Sequence, residues 1–453
     1  MQQLTMNLPT MKEIEMKLFR QLQEWFADVM VRYLEEIDRW IMENRDHSRY
    51  RLRDIRKVTM GTSFGEITFA RRLYQDREKG NLVYLLDQAL AFDGQSGMSP
   101  HLEAWAVELA TVGPSYREAA KQIEALLGYP AISHETIRQR LMEKAEQAAG
   151  LVRGEKKKAK VLFVEVDGLY TKLQRTKQHG TEQKMAVIHE GWERNGRRVQ
   201  LRNKTHYLHT GSDASFWEGF SDFVIQHYDV DEDTWFIVNG DGAEWIGECE
   251  SYFRRCLYTL DRFHVARDLK QHLRDHPAHW NAVRRALASY DAQGLLAAVD
   301  AVPAEKIRHD RRAEWEKFKA FLHRHEKHLV DYRKVLEAHG LDVTGMRPMG
   351  SAESQMRVFA KRTKRGGYSW SVRGVHAMLK SIIARREGRL GLTEVAENEP
   401  EDKKQERSPL RLREYVKQKS KEVTWGVING VIPILNTSKR SSPIGMALKG
   451  LRG

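Results

Sequence analysis

The sequence contains few cysteines and no long apolar stretch. Cys249 and Cys256 are the two cysteines among 453 residues, and two cannot by themselves form a disulfide framework or a zinc site, which predicts a reducing compartment. No apolar run approaches the roughly 20 residues that a helix needs to cross a bilayer. The first residues mix charges of both signs without the apolar core of a signal peptide. We therefore expect a cytoplasmic protein without a membrane partner.

The charge balance is strongly positive. Lys and Arg number 75 against 62 Asp and Glu, which gives a net charge of +13. Such a surplus predicts a polyanionic partner, because Lys and Arg gain affinity when they release counterions condensed on phosphates. The surplus does not identify that partner, since ribosomal and membrane-surface proteins can be equally basic. The length leaves room for two or three domains with a sizeable core.

Two short apolar runs each lead into an Asp-Gly pair. The runs Val-Leu-Phe-Val-Glu-Val and Trp-Phe-Ile-Val-Asn-Gly end at Asp167 and Asp241. Each predicts a buried strand that presents a carboxylate at the carboxyl edge of a sheet, with Gly168 and Gly242 allowing a sharp turn behind it. An isolated Asp-Gly pair is more often a plain turn. The presence of two such pairs in one chain favours the metal-binding interpretation over two plain turns.

A third acid, Glu353, stands far downstream at the head of a helical and strongly basic segment. Carboxylates that converge from separate elements suit Mg²⁺, and two Mg²⁺ ions suit in-line displacement at phosphorus. The pattern therefore indicates DNA strand cleavage and joining. The sequence does not decide which glutamate is the third acid, because Glu244, Glu248 and Glu250 follow Asp241 closely and are alternatives to Glu353.

The segment between residues 161 and 260 is predicted to form a compact mixed sheet. Strands are predicted at 161–166, 184–191, 197–209, 235–240 and 255–260, and helices at 213–227 and 243–253. Three strands, a helix, a strand, a helix and a strand are the element order of a ribonuclease-H-like fold. In that fold the strands of Asp167 and Asp241 are neighbours.

The chain resembles the DDE transposases of bacterial insertion sequences. The resemblance rests on the two Asp-Gly pairs, the Asp-x-x-His motif from Asp261 to His264, the long helical insertion and Glu353. It covers nearly the whole chain. It is greatest for the ISLre-type group, long classed as an uncharacterised protein family and related to the Mutator-like superfamily.

This resemblance implies an activity and a set of site residues. Asp167, Asp241 and Glu353 match the metal-binding triad, with Mg²⁺ as the cofactor and Mn²⁺ as a substitute. Asp261 and His264 match the family's Cys/Asp-x-x-His motif and are expected to orient DNA or a ligand beside the metals rather than to bind metal. The implied partners are double-stranded DNA, at element ends and at the target, and further copies of this chain in the nucleoid.

The N-terminal region carries an amphipathic pattern followed by a hairpin. Apolar residues between Ile14 and Ile41 recur every three or four positions and predict one long helix. That helix either docks on its own protein or associates with a second copy. Residues 55–60 and 66–74 predict the β-hairpin, whose Arg71-Arg72 pair either touches phosphate or forms a solvated edge.

Residues 115–143 predict a helix-turn-helix. A first helix ends at Gly128-Tyr-Pro130, and a second begins behind Ser133 as its N-cap. The second helix is expected to present DNA-reading side chains to a major groove, namely His134, Glu135, Arg138, Gln139 and Arg140. A helical hairpin that binds nothing is the alternative.

Basic and aromatic residues follow Glu353. Side chains expected to hold the DNA backbone are Lys361, Arg362, Lys364 and Arg365. Tyr368 and Trp370 either stack on an unpaired base or belong to the core. The all-helical insertion before Glu353 either positions a DNA end, contacts a second subunit or presents a plain solvated face.

Together these segments predict an α/β protein with a ribonuclease-H-like mixed sheet and a large all-helical insertion, preceded by a helical N-terminal region with a β-hairpin and a helix-turn-helix. The predicted parts are 1–100 for the helix and hairpin, 101–150 for the helix-turn-helix, 155–268 with 346–390 for the catalytic core, 269–345 for the insertion, and 391–453 for a linker and basic tail. The favoured function is an insertion-sequence transposase. The alternatives are a catalytically silent DNA-binding protein on the same scaffold and a nuclease or resolvase without transposition.

Overall fold

A computed structural model describes residues 9–94, 96–150, 156–177, 179–210 and 215–390. These residues form two compact units, one within 9–141 and one within 142–390. The predicted linker and basic tail, 391–453, lie outside the described residues. No helix of the described ranges is both long and apolar enough to cross a membrane.

The first unit combines helices with a three-stranded antiparallel sheet. Its elements are α1 (Met11–Asn44), β1 (Tyr50–Thr62), β2 (Gly65–Asp76), β3 (Leu82–Tyr84), α2 (Leu85–Ala89), α3 (Pro100–Val112), α4 (Tyr116–Leu127) and α5 (His134–Gly150), the last of which continues past residue 141. The predicted hairpin is therefore present, and both of its strands are longer than expected. Helix α1 begins at a capping box, in which the Thr10 and Glu13 side chains bond each other's backbone N–H.

The two halves of α1 differ in burial. Leu34, Ile37 and Ile41 are buried in one core with residues of the β1–β2 hairpin, so this half docks on its own unit. Ile14 and Leu18, in the first half, are exposed. Docking on its own protein, one of the two alternatives predicted for this helix, therefore applies to its second half.

Arg71 and Arg72 are turned into the first unit. The Arg71 guanidinium pairs with Asp87 and lies 3.7 Å from the centre of the Tyr84 ring. Arg72 pairs with the buried Asp38 at 2.5 Å. Both expectations for this pair, a phosphate contact and a solvated edge, are wrong, because neighbouring carboxylates compensate the cations inside the unit.

The second unit is built on a five-stranded mixed sheet. Its strands are β4 (Lys157–Lys158), β5 (Val161–Lys172), β6 (Gly180–His189), β7 (Trp192–Asn195), β8 (Arg198–Leu201), β9 (Thr205–Leu208), β10 (Tyr228–Asp229), β11 (Trp235–Gly240) and β12 (Cys256–Leu260). The sheet has the order β12-β11-β5-β6-β9. Strand β11 is parallel to β5 and β12, whereas β6 is antiparallel to β5 and β9. The strands that carry Asp167 and Asp241 are thus neighbours.

Helices surround this sheet and fill the long interval before Glu353. They are α6 (Phe216–His227), α7 (Glu244–Gly247), α8 (Arg262–Leu273), α9 (Pro277–Ser289), α10 (Ala292–Asp300), α11 (Arg312–Arg324), α12 (Tyr332–Ala338), α13 (Ala352–Thr363) and α14 (Val372–Arg386). One core joins the sheet to α6 through Val164, Ile188 and Phe220. A second core lies within α8–α11, around Leu269 and Trp315.

Three predicted elements differ in detail from the structure. The strand expected at 197–209 is two strands, because Asn203 takes a left-handed φ of +51° and separates β8 from β9. The helix expected at 243–253 is the single turn α7 followed by a 3₁₀ turn at Glu248–Ser251. The helix predicted to start at Asp213 has Ser215 as its N-cap and begins at Phe216.

Candidate metal centre

Three side chains from separate elements converge at one edge of the sheet. They are Asp167 of β5, His264 in the first turn of α8 and Glu353 in the first turn of α13. One ligand atom of each lies within 4.8 Å of those of the other two. Two ligands of one divalent cation, each at about 2.1–2.6 Å from it, are separated by no more than about 5 Å. The three side chains therefore fit a shared metal ion.

Strand β5 carries Asp167 in a way that differs from the prediction. The strand does not end at Asp167-Gly168 but runs on to Lys172, paired with β6. Its parallel pairing with β11 stops at Glu165 opposite Asn239, so Asp167 still emerges where the parallel strands end. Gly242, in contrast, has a φ of +99° and makes the expected sharp turn.

Asp241 lines the same cleft but is not one of the three converging side chains. The cleft has a volume of about 700 Å³, and its wall includes Asp167, Asp241, His264 and Glu353. Asp241 is exposed there and accepts a hydrogen bond from the Ala243 N–H at 3.1 Å. The two aspartates thus lie on the same side of the sheet, with Asp241 at the rim of the site.

The acids act on one another electrostatically. Burial, aided by the charges of Asp241 and Glu353, raises the pKa of Asp167 to about 6, against the opposing effects of the Gly168 N–H and of His264. A carboxylate that is both desolvated and surrounded by like charges is stabilised by a nearby cation. The electrostatics of the site therefore agree with its geometry in favouring a bound divalent ion.

Asp261 has a different position from His264. It directly follows β12, is 1% exposed and caps α8 by accepting the Phe263 N–H at 2.8 Å. Burial raises its pKa. It does not line the cleft within the described residues. Its carboxylate therefore orients the helix that carries His264, and the contact with DNA or a ligand expected of Asp261 stays a prediction.

The alternatives to Glu353 lie elsewhere. Glu244, Glu248 and Glu250 are exposed, and none of them is among the described residues that line the cleft. Glu250 lies 3.5 Å from the Lys327 ammonium. Of the four candidate third acids, the structure brings Glu353 to Asp167.

One face of α13 adds positive charge to the cleft. Glu353 and Arg357 line it from α13, together with Lys364 and Arg365 directly after the helix and Arg267 from α8. Lys361 is exposed but does not line this cleft. No motif in the sequence marks Arg267 as a residue of the site.

Arg362 does not lie on that face. It is 5% exposed, and its guanidinium lies 5.4 Å from the Tyr368 ring centre and 5.2 Å from that of Trp370. The backbone contact expected of Arg362 is therefore wrong, because the two rings cover it. Trp370 is itself buried and donates its indole N–H to the Thr363 carbonyl at 2.9 Å, so the core alternative holds for this residue.

Two consecutive helices, α4 and α5, occupy the segment where the helix-turn-helix is predicted. Gly128 ends α4 in the left-handed conformation, and Ser133 accepts the Thr136 N–H at the start of α5. His134 and Gln139 are exposed, and Arg138 pairs with Glu135 at 2.7 Å on the surface.

Arg140 differs from the other helix-turn-helix residues. Its guanidinium is partly buried, donates to the Ser96 carbonyl at 3.2 Å and lies 3.8 Å from Glu103. These contacts turn Arg140 towards its own unit, and its role in reading DNA stays a prediction.

A buried carboxylate below the site was missed. Glu165 stands two residues before Asp167 on β5, is 0% exposed and bonds to the backbone that leads into α13. An acid inside an otherwise apolar strand was the available signal. Its partners, nearly 190 positions away in the sequence, were not visible.

Comparison with known proteins identifies relatives over most of the chain. A family profile described as "Uncharacterised protein family (UPF0236)" matches residues 4–401. The "UPF0236 protein in vanSb 3'region" of Streptococcus gallolyticus is 30% identical over 392 residues, which cover 83% of each chain. A UPF0236 protein of Caldanaerobacter subterraneus subsp. tengcongensis is 26% identical over 388 residues, 83% of this chain and 76% of its own. The Drosophila P element transposase strand transfer complex is similar at 10% identity and a TM-score of 0.25, over 74% of this chain and 87% of that one. A TM-score of 0.25 does not establish a shared fold.

Proposed function

The chain belongs to the uncharacterised protein family UPF0236, and we propose that it is a DDE-type transposase of an ISLre-type bacterial insertion sequence. It would cleave phosphodiesters at the element ends and join them to target DNA. The observation that carries the proposal is the convergence of Asp167, His264 and Glu353 to within 4.8 Å, in a cleft that also holds Asp241 and four basic side chains.

The sheet supports a ribonuclease-H-like assignment. Three strands follow one another as β5, β6 and β9, and β11 and β12 then add on the other side of β5 in parallel. Side chains at the ends of neighbouring parallel strands meet at one sheet edge, which is the usual location of a site in such sheets. The candidate acids occupy that edge.

Asp167, Asp241 and Glu353 would hold two Mg²⁺ ions, with Mn²⁺ as a substitute. When bound, such ions stabilise the entering and leaving oxygens of an in-line displacement at phosphorus. Asp167 serves in its ionised form, and with a pKa of about 6 it is mostly ionised at neutral pH. His264 would add a nitrogen ligand, which favours Mn²⁺ over Mg²⁺.

The remaining cleft residues would bind and orient the DNA strand. Arg357 and Lys364 continue the α13 face that begins with Glu353, so phosphates on either side of the scissile bond would follow that helix. Phe318 and Phe321 of the helical insertion form an apolar part of the same wall and would limit access of bulk water.

Recognition of the element ends would belong to the helix-turn-helix. His134, Arg138 and Gln139 lie together at the start of α5, the recognition position of that motif. With its large positive charge, the protein is expected on the nucleoid. Further copies of the chain would pair the two element ends.

A cleavage assay tests the proposal against a catalytically silent DNA-binding protein. The substrate is a DNA fragment that carries the inverted repeats flanking the coding region. The wild-type protein should nick it and join the ends with Mg²⁺, whereas EDTA should stop the reaction. Asp167→Asn should be inactive and still bind. Asp229→Asn, an exposed carboxylate of the same unit paired with Lys158, should remain active. Binding without any metal-dependent cleavage would favour the silent protein, and cleavage without joining would favour a nuclease.

A further inference from the structure

The buried carboxylate of Glu165 binds the chain segment that carries Glu353. Its Oε1 accepts the Gly350 N–H at 3.1 Å, the Ser351 N–H at 3.0 Å and the Ser351 hydroxyl at 2.9 Å. Its Oε2 accepts the Ala352 N–H at 3.3 Å. One side chain of β5 thus accepts hydrogen bonds from three consecutive backbone N–H groups just before and at the start of α13.

These bonds replace an ordinary helix cap. The N-cap residue Ser351 makes no side-chain capping bond within α13, although the first N–H groups of any helix need partners. Glu165 supplies partners and offers a negative charge to the positive end of the helix dipole. Glu353 is the second residue of α13, so its position follows directly from this attachment.

Glu165 also links the neighbouring strand. The Asn239 side chain of β11 donates to Glu165 Oε2 at 3.1 Å, and the Thr259 hydroxyl of β12 lies 3.3 Å from Asn239 Oδ1. All three side chains are buried. Because strand side chains repeat every two residues, this polar layer lies one step below Asp167 and Asp241, which follow two positions later.

We propose that Glu165 is a positioning residue that holds Glu353 at ligand distance from Asp167 by fixing the start of α13 to β5. Its significance for metal binding rests on the proposed function. The competing explanation is that Glu165 merely stabilises the second unit, as any satisfied buried carboxylate does. The two explanations differ in whether the effect of a substitution is confined to α13 and the metal ligands.

Glu165→Gln is the sharpest substitution. A glutamine has the same shape but a single acceptor oxygen, and its NH₂ group is a donor. In one orientation the NH₂ group would face the Ala352 N–H and the Asn239 amide. In the other it would face the N–H groups of Gly350 and Ser351. In either orientation, N–H donors that now bond to a carboxylate oxygen would face the NH₂ group, which is itself a donor. The attachment of α13 is therefore weakened with almost no change in side-chain volume.

Glu387→Gln is the matched control. Glu387 is another largely buried carboxylate of the same unit, and it accepts the His206 N–H at 2.9 Å and an Arg389 bond at 3.0 Å. It does not line the cleft. Ser351→Ala is a milder companion to Glu165→Gln, since it removes one hydroxyl bond to Glu165 and keeps the backbone bonds.

The first readout is hydrogen exchange of the full-length protein without metal or DNA. In Glu165→Gln the amides of 350–357 should exchange faster than in wild type, and in Ser351→Ala the same amides should change in the same direction by less. Glu387→Gln should leave them unchanged. Unaltered exchange at 350–357 in folded Glu165→Gln and in Ser351→Ala would overturn the proposal.

The second readout is Mn²⁺ affinity, measured by electron paramagnetic resonance without DNA. Glu165→Gln should lower it by about 10–100-fold, the usual effect of losing a group that orients metal ligands, and Glu387→Gln should not. Equal affinities in wild type and Glu165→Gln would overturn the proposal. A wild-type protein that binds no Mn²⁺ would contradict the proposed function, and the exchange result would then decide the role of Glu165 by itself.

Discussion

The carboxylates of Asp167 and Glu353 lie within 4.8 Å of each other, although one belongs to strand β5 and the other to helix α13. Two carboxylates at this distance repel each other unless a proton or a cation lies between them. Burial is the main reason why the pKa of Asp167 is raised, and the charges of Asp241 and Glu353 add to it.

A first prediction concerns stability and pH. The folded pKa of Asp167 is about 6, above its ordinary value of 3.8, so the folded state binds the extra proton between these values. Protonation of Asp167 therefore contributes fully to the stability of the folded state below about pH 4. This contribution is lost as the pH rises through about 6. At pH 7 in EDTA, Asp167→Asn should therefore be more stable than wild type by about 1–3 kcal/mol, as measured by urea unfolding.

The same comparison contains its own controls. The difference between the two proteins should vanish near pH 3.5, and Mg²⁺ should reduce it at pH 7 by stabilising the wild type alone. Asp229→Asn should show no such pattern. A wild type that is the more stable protein at pH 7 in EDTA would contradict the assigned environment of Asp167.

A second prediction concerns His264 as a metal ligand. Pulsed electron paramagnetic resonance of the Mn²⁺-loaded protein should detect a coupled nitrogen, which His264→Ala should remove. The substitution should weaken Mn²⁺ binding more than Mg²⁺ binding, because Mg²⁺ gains little from an imidazole. An unchanged nitrogen signal, with slower strand transfer and normal metal affinity, would show that His264 orients DNA instead, as the sequence motif suggested.

A third prediction concerns the basic face of α13. Arg357→Ala and Lys364→Ala should each weaken DNA binding and reduce the slope of log affinity against log salt by about 1. Lys361→Ala is the control, because Lys361 lies on the same helix without lining the cleft. Equal effects at all three positions would indicate a diffuse attraction rather than a defined strand path.

A fourth prediction separates end recognition from chemistry. The double substitution Arg138→Ala with Gln139→Ala should weaken binding to element-end DNA by about 1–3 kcal/mol for each lost base contact. Metal-dependent nicking of unrelated DNA should continue. Glu124→Ala, an exposed change on α4, should leave both activities intact. An equal loss of both activities in a folded double variant would contradict the separation.

Much of the fold could be predicted from local patterns. The apolar runs before Asp167 and Asp241 form adjacent parallel strands. Gly128 ends α4 and Ser133 caps α5, as expected for a glycine and a serine at these positions. These features depend on residues close in the sequence, where periodicity and capping preferences act.

The errors arose where distant residues decide the outcome. Arg362 had the composition of a DNA contact, but Tyr368 and Trp370 cover it. The role of Glu165 depends on backbone groups at 350–352. No local pattern reports such partners, because burial and pairing across the fold set them.

The proposed chemistry depends most directly on the assignment of Glu353 as the third acid. Glu353→Gln and Glu244→Gln provide a direct comparison, since both replace a glutamate in the first turn of a helix within the same unit. The decisive measurement is cleavage and strand transfer of element-end DNA with Mg²⁺, together with binding of the same DNA. Glu353→Gln should abolish both reactions while binding persists, because a metal ligand is lost but the basic face remains, and Glu244→Gln should keep wild-type activity. Wild-type cleavage by Glu353→Gln, or its loss in Glu244→Gln, would contradict the proposed metal centre.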